Sequence, residues 1–521
     1  MPGGSESGSE GDPAQTGDDA VTMGRQHLRG SAILVLGRFL AIVIGMVTQV
    51  ILVRALTKTD FGAFAYALAL AAGARILLSL GQGRLLSRFM ATYEELRDYS
   101  RMFGAMILAA LTIFVTSIAA IGLLYVFQDE LIGSALKSED AIALVLILIF
   151  LSPLEALDEV FLALFAVFSR PGAIFFRKHL VAPGFRLVVV SLLVILEADV
   201  AFVAVGYVLA ALAGILMYFG LFIRLVQEQG LYQKMRSQGV VIPFRAVFSF
   251  SFPQITGELA LLSMTAGGVI ILGMYHSTVE IANYRAAFSS ARLNIAITGS
   301  FITLFLPVIA RLHVRGDMEL LRRTYWHTAS FVTVLSFPVF ALTGPFAEQT
   351  TVTLFGDRYA DSAPVLAILA VSYYISVMLG SNADMLQVCG RIRFLVGVNL
   401  FSAVLYLGLC LALTPRLAAL GVAGAHGTTL IAQNLLNQSV LRRTIRTSIV
   451  GRECRGSYAA VAGGALALWC FSLLFSPGML ISMAAIALVS VLVLAASRQA
   501  LQLKDTFPEL GRVPLVGRLI R

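Results

Sequence analysis

Apolar runs of eighteen residues or more recur along nearly the whole chain. Each is long enough to cross a hydrocarbon core about 30 Å thick as an α-helix. A chain in lipid must satisfy its own backbone N–H and C=O groups, which restricts it to helices or closed barrels. The runs predict spans at 31–55, 62–89, 102–127, 141–168, 179–197, 200–223, 247–274, 282–310, 328–354, 363–389, 394–414, 419–441, 457–475 and 478–497. The fold class expected is therefore an all-α polytopic membrane protein with about fourteen transmembrane helices. Composition agrees, with 58% hydrophobic and 13% charged residues, against about a quarter charged in soluble domains.

Most connections between these runs are short, and the longest, 224–246, falls between the sixth and seventh spans. Loop charge then predicts orientation, because cytoplasmic loops carry an excess of Lys and Arg. With Arg54, Arg84 and Arg88, near the ends of their runs, counted with the adjoining loops, 29 of the 39 Lys and Arg residues fall in one set of alternate loops, 5 in the other and 5 deep within spans. The expectation is a multi-pass protein of the cell (plasma) membrane with both termini cytoplasmic. The net charge of +9 is spread over these loops. No basic run is interleaved with aromatics, so nucleic acid is not an expected partner.

Residues 1–26 are rich in Gly, Ser, Asp and Glu, too polar to bury a core, and a disordered cytoplasmic tail is expected there. Residues 501–521 mix Phe507, Leu510, Val513, Leu515 and Ile520 with Arg512, Arg518 and Arg521, the pattern of an amphipathic tail at a membrane surface. Cys389, Cys410, Cys454 and Cys470 stand singly in or near apolar runs, and the six histidines are scattered. Neither pattern suggests a metal site. No phosphate-binding P-loop, zinc-protease or nucleophile-elbow motif occurs, so no cofactor and no enzyme activity are expected.

Five arginines fall inside the apolar runs: Arg38, Arg75, Arg186, Arg285 and Arg292. Each costs about 2.5–3.5 kcal/mol at a span centre on insertion scales. Arginine keeps its charge and binds phosphate through a planar fork of donors. Arg285 and Arg292 are seven apart and share one helix face with Ser289 between them. Arg75, Ser79 and Gln82 share a face of the second span, and Arg38, Gly45 and Gln49 one of the first. Arg38 and Arg186 lie near span ends, where snorkelling or a salt bridge explains them equally well.

Acids are fewer: Glu155, Asp158 and Glu159 in the fourth span, Glu258 in the seventh and Asp384 in the tenth. Pro153 precedes the acidic triplet, and Pro253 should kink or break the seventh span beside Glu258. These acids either pair with the arginines or carry a coupling proton or cation. Glu258 and Asp384 are the candidates for coupling. Residues 53–67 and 273–287 echo one another: an acid, an aliphatic or aromatic residue, a small residue and an aromatic recur in step. Such duplication is common in transporters, with the substrate held between the repeats.

The segments LFGDRYADSAPVL (354–366), GRIRF (390–394) and TPRLAALGVAGA (414–425) resemble the polysaccharide transporters of the multidrug/oligosaccharidyl-lipid/polysaccharide (MOP) exporter superfamily, the Wzx-type flippases. LVRALTKTDFGAFAYALAL (52–70) and LGQGRLLSRF (80–89) are similar to that family's first-to-second span region. The resemblance implies two pseudo-symmetric six-helix lobes, at 27–230 and 231–445, and a C-terminal helix pair at 446–500. It implies alternating access and a polyprenyl-phosphate- or pyrophosphate-linked oligosaccharide as substrate. Arg38, Arg75, Arg285 and Arg292 would then line the cavity, with Arg88 at its cytoplasmic mouth. Membrane lipids are implied partners, and glycan polymerase or ligase machinery is a further candidate. A MurJ-type lipid II flippase and a MATE-type multidrug exporter of the same fold are the alternatives.

Overall fold

The computed structural model describes residues 37–80, 82–128, 139–168, 171–448, 451 and 454–501. Every element among them is helical. The tail at 1–26 lies outside the described residues, as does 502–521. Leu501 itself ends the last helix, and its carbonyl meets the His327 ring nitrogen at 2.9 Å.

The N-terminal half contains α1 (Gly37–Ala55), α2 (Lys58–Ser79), α3 (Gln82–Glu95), α4 (Tyr99–Val126), α5 (Glu139–Leu148), α6 (Leu151–Val167), α7 (Gly172–Ile195), α8 (Val200–Glu228) and α9 (Leu231–Gln238). The C-terminal half contains α10 (Phe244–Leu262), α11 (Gly268–Tyr275), α12 (Thr278–Ala291), α13 (Leu293–Arg315), α14 (Met318–Thr343), α15 (Ala347–Phe355), α16 (Ala363–Met378), α17 (Asn382–Val388) and α18 (Ile392–Thr444). The pair α19 (Arg455–Phe475) and α20 (Met479–Leu501) follows.

Among the described residues, twelve helical stretches are long and apolar enough to cross a membrane. One of them, α18, contains Ala418 at φ 48°, ψ −128°, so its two parts are separate helices. Pro415 removes a backbone donor just before that break. The interrupted stretch α12–α13 is not among the twelve.

Two expectations about continuity are corrected. The second span does not run unbroken over 62–89: Leu80 adopts the left-handed region (φ 46°) and caps α2 before α3 begins. The sequence there, Gly81-Gln82-Gly83, offers little helix propensity to carry the helix through. In the seventh span the backbone stays α-helical through Pro253. The irregular turn comes later, as a π-helical segment at Ser263–Gly267. Around Pro153 the expectation of a discontinuous helix agrees with the structure. The backbone breaks at 149–150, and α6 starts with Pro153 in its first turn.

The halves meet most extensively where α12 packs along α2. Both helices present small residues there. Ala63, Ala65, Ala67, Ala69 and Ala71 are buried on α2, and Ala282, Ala286, Ala287 and Ala291 on α12. Small side chains let helix backbones approach closely, and van der Waals contact then holds helices together where lipid supplies no hydrophobic drive. Gly62 marks the closest approach, since a Cβ there would strike the carbonyl of Thr278. These two helices carry the echoing segments 53–67 and 273–287.

One hydrophobic core runs across both halves at this end, from Leu52 and Phe64 to Tyr284 and Tyr406. Farther from it the cores separate. One around Leu86, Met102 and Tyr218 belongs to the N-terminal half, and one around Ile309, Tyr325 and Leu441 to the C-terminal half.

Two arginines clasp the shared end reciprocally. Arg54 donates to the carbonyls of Thr353 and Leu354 at 2.6 and 2.8 Å. Arg358 donates back to the carbonyls of Val53, Arg54 and Leu56. Opening this end breaks both sets. Arg358→Ala should therefore raise maleimide labelling of a cysteine placed at buried Leu56, in a background lacking the four native cysteines, by several-fold. Labelling equal to that in the Arg358 parent would exclude the clasp as a seal.

Candidate substrate-binding site

A cavity of about 570 Å³ opens within the N-terminal half, lined by α1, α2, α6, α7 and α8. Gly45 and Gln49 reach it from α1, with Thr48 beside them, whereas Arg38, expected on the same face, does not line it and binds the Gly299 carbonyl. Its floor is charged. Arg75 from α2 pairs with Glu159 and lies 3.8 Å from Glu155. Arg186 from α7 lies 3.1 Å from the other oxygen of Glu155 and stacks over Tyr207 at 5.4 Å. Arg177 lies 2.7 Å from Asp158 and 5.6 Å from the centre of the Tyr218 ring. The acidic triplet thus meets three arginines, and Lys178 also lines the cavity. A buried charge in a low-dielectric medium costs several kcal/mol unless it is paired, and here each carboxylate has a guanidinium.

Arg177, in the loop that the span bounds 141–168 and 179–197 predict, is instead buried in α7, on a π-helical turn at Phe175–Val181. A signal for it existed. The fourth span holds three acids, while the N-terminal spans offered only Arg75 and Arg186 near them, so one cation was still owed to the triplet. Ser79, expected beside Arg75, instead bonds back to the Ile76 carbonyl of its own helix.

The arginines of α12 and α13 stand differently. The guanidinium carbons of Arg285 and Arg292 lie 5.9 and 5.8 Å from the Phe288 ring centre. The two therefore share one face, as their spacing predicts. Arg292 sits at the junction of α12 and α13 and is exposed, while Arg285 is half-buried. Arg38 reaches across from α1 and donates to the carbonyl of Gly299 at 3.1 Å. Gly299 is seven residues past Arg292, so the same face continues. Seven residues advance a helix by about 10 Å. Arg285, Arg292 and Arg38 thus form a column along that face. A side chain at Gly299 would occupy the place of the Arg38 guanidinium. None of the three forms an ion pair among the described residues.

The remaining candidates are dispersed. Arg88 lies on α3, and its side chain falls outside the described ones. Glu258 is half-buried on α10. Asp384, half-buried at the start of α17, adjoins the core around Met385, Leu386 and Tyr325. No contact among the described residues joins Asp384 to the arginine column. Asn437 is buried and donates to Asn382.

Arg177→Ala leaves Asp158 without its cation. Breaking one side of a buried pair costs about 3–5 kcal/mol, so the variant should melt at a clearly lower temperature in detergent. Asp158→Asn added to it should recover part of the loss. Unchanged melting in Arg177→Ala would show that the pair contributes nothing to stability.

The family model described as polysaccharide biosynthesis protein matches residues 27–313. The teichuronic acid biosynthesis protein TuaB of Bacillus subtilis (strain 168) is 22% identical over 349 residues, covering 64% of this chain and 67% of that one. The succinoglycan biosynthesis transport protein ExoT of Rhizobium meliloti (strain 1021) is 26% identical over 333 residues, 63% of this chain and 62% of its own length. The match thus spans less than two thirds of ExoT. Among solved structures, the lipid II flippase MurJ in an inward closed conformation superposes with a TM-score of 0.67 at 14% identity, over 90% of this chain and 98% of that one. An inward-facing multidrug-resistance MATE transporter of the MOP superfamily gives 0.62 at 14% identity, over 78% and 94%. These likenesses show a shared membrane-transporter fold.

Proposed function

Because the chain belongs to the polysaccharide biosynthesis protein family, we propose that it is a flippase for a lipid-linked oligosaccharide. It is a transporter, not an enzyme, in keeping with the transport and flippase names of its relatives. The substrate in this reading is a polyprenyl-phosphate- or pyrophosphate-linked glycan carried from the cytoplasmic to the outer leaflet. The halves at 27–230 and 231–445 act as the two lobes of an alternating-access transporter, the pair at 446–500 is accessory, and both termini are cytoplasmic.

The observation that carries this reading is the set of Arg38, Arg292 and Arg285, three arginines along α12 and α13 that form no ion pair among the described residues. An anionic headgroup needs fixed cations where water is scarce, and arginine presents a fork of five donors that fits phosphate. Arg38 spends one donor on Gly299 and keeps the rest. Arg75, by contrast, meets two carboxylates before any substrate arrives. We therefore assign the phosphate to the column and read Arg75 as part of the charge network that shapes the N-terminal cavity. A cationic drug would be repelled by the column, which disfavours a multidrug exporter. A lipid II cargo would present the same headgroup chemistry and differs in its glycan.

Charge-assisted hydrogen bonds are worth about 1.5–3 kcal/mol each. Arg285→Ala and Arg292→Ala should each weaken headgroup binding by roughly ten- to a hundredfold on that scale. Both should reach the membrane and cut surface glycan in a strain that depends on this transporter. Lysine at either position should rescue only partly, because the fork is lost. Gly299→Ala should impair export by displacing Arg38. Normal surface glycan in the Arg285→Ala, Arg292→Ala double variant would end the phosphate-column assignment. Glu258→Gln and Asp384→Asn test the coupling candidates, and full export in either variant removes that residue from the coupling role.

A further inference from the structure

One buried titratable group beside the arginine column has no role in that scheme. His426, on the second part of α18, is 4% exposed. Neither ring nitrogen makes a well-formed hydrogen bond among the described residues, although the Met264 backbone on the π-helical turn lies within reach of the ring. Its neighbours are aromatic faces and edges. Phe288, Tyr373 and Tyr406 surround the imidazole with ring centres at 5.6, 5.4 and 5.8 Å. A buried polar group usually finds a partner, so an imidazole boxed by three rings is an exception that calls for a cause.

Phe288 is the hinge of the argument. One ring touches the Arg285 guanidinium, the Arg292 guanidinium and His426. Arg292 lies within electrostatic reach of both His426 and Tyr373. The ionisable groups around the imidazole are Arg285, Arg292 and Tyr284 from α12, Tyr373 from α16, and Tyr406 and Cys410 from the first part of α18. The π-helical turn at Ser263–Gly267 contributes none. No carboxylate is among these groups. With the column empty, the Arg292 guanidinium opposes a positive charge on His426. An anion on the column offsets that opposition, and three aromatic faces then suit an imidazolium. Histidine is also the side chain whose charge changes most readily near neutral pH.

We propose that His426 is a proton-binding site linked to the column, taking up one proton when an anionic phosphate headgroup is bound at Arg285 and Arg292. The inference rests on the phosphate-column reading and adds to it a coupled proton. His426 packs on Phe288, Tyr373 and Tyr406, which belong to the core shared by both halves. The sign follows from charge. Protonation adds a positive charge beside the anion, so headgroup affinity rises as pH falls, by up to about tenfold per pH unit for one linked proton.

The test uses detergent-purified full-length protein and inorganic pyrophosphate as probe. Calorimetry in two buffers of different ionisation enthalpy counts the protons taken up on binding. The parent protein should take up more protons per bound pyrophosphate than His426→Gln, by as much as one, while the variant still binds. His426→Asn serves as a second variant, and both are first checked for a monodisperse, cooperatively melting protein. Equal proton counts in the parent and in both variants, with binding retained, would overturn the proton site and leave the column standing. Pyrophosphate binding that is absent, or indifferent to Arg285→Gln with Arg292→Gln, would overturn the column and the proton site with it.

Discussion

The close packing of α2 on α12 is the contact on which the rest of the structure depends. It joins the two halves through alanine and glycine faces, with Gly62 set against the Thr278 carbonyl. Helices in lipid gain no hydrophobic energy by associating, so the seam must come from fit. That fit fuses the cores at one end, while the other end keeps a separate core in each half. It also sets the rotation of α12, whose Phe288 ring lies between Arg285 and Arg292 and packs against Tyr373 and His426.

The molecule divides its intramembrane charge between the halves. In the N-terminal half, Glu155, Asp158 and Glu159 meet Arg75, Arg186 and Arg177. That arrangement answers the electrostatic cost internally and leaves a polar, nearly balanced cavity. Arg285, Arg292 and Arg38 have no ion pair among the described residues, and hydrogen bonds and ring faces meet part of their cost. The clasp of Arg54 and Arg358 is a third use of the same side chain, in which neutral carbonyls crossing the seam replace any acid.

Much of this was legible in the residues. Apolar length marks helices because lipid leaves the backbone no other partner. The seven-residue spacing of Arg285 and Arg292 placed both on one face, and they do flank one ring. The echo at 53–67 and 273–287 marked the two helices that form the seam. The misses share one cause. Arg177 sits close in sequence to loop residues, yet helix geometry turns it inward onto Asp158. Pro253 signals a kink, yet the irregular turn falls ten residues later, at Ser263–Gly267. Leu80 ends α2 where an unbroken apolar run suggested continuity. Local patterns give the probability of a helix end, and neighbouring helices decide where it falls.

The sequence by itself determined a helical membrane chain, the transporter family it resembles, and the presence of arginines too costly to be idle. The helical chain and the costly arginines follow from composition and periodicity, and the family from segments such as 354–366 and 414–425 that resemble it. Only the tertiary structure decided which arginines meet a carboxylate and which have no ion pair among the described residues. Ion pairing depends on distances between residues such as Arg75 and Glu159 or Arg38 and Gly299, on helices far apart in sequence. The packing of those helices sets such distances, and no local pattern encodes them.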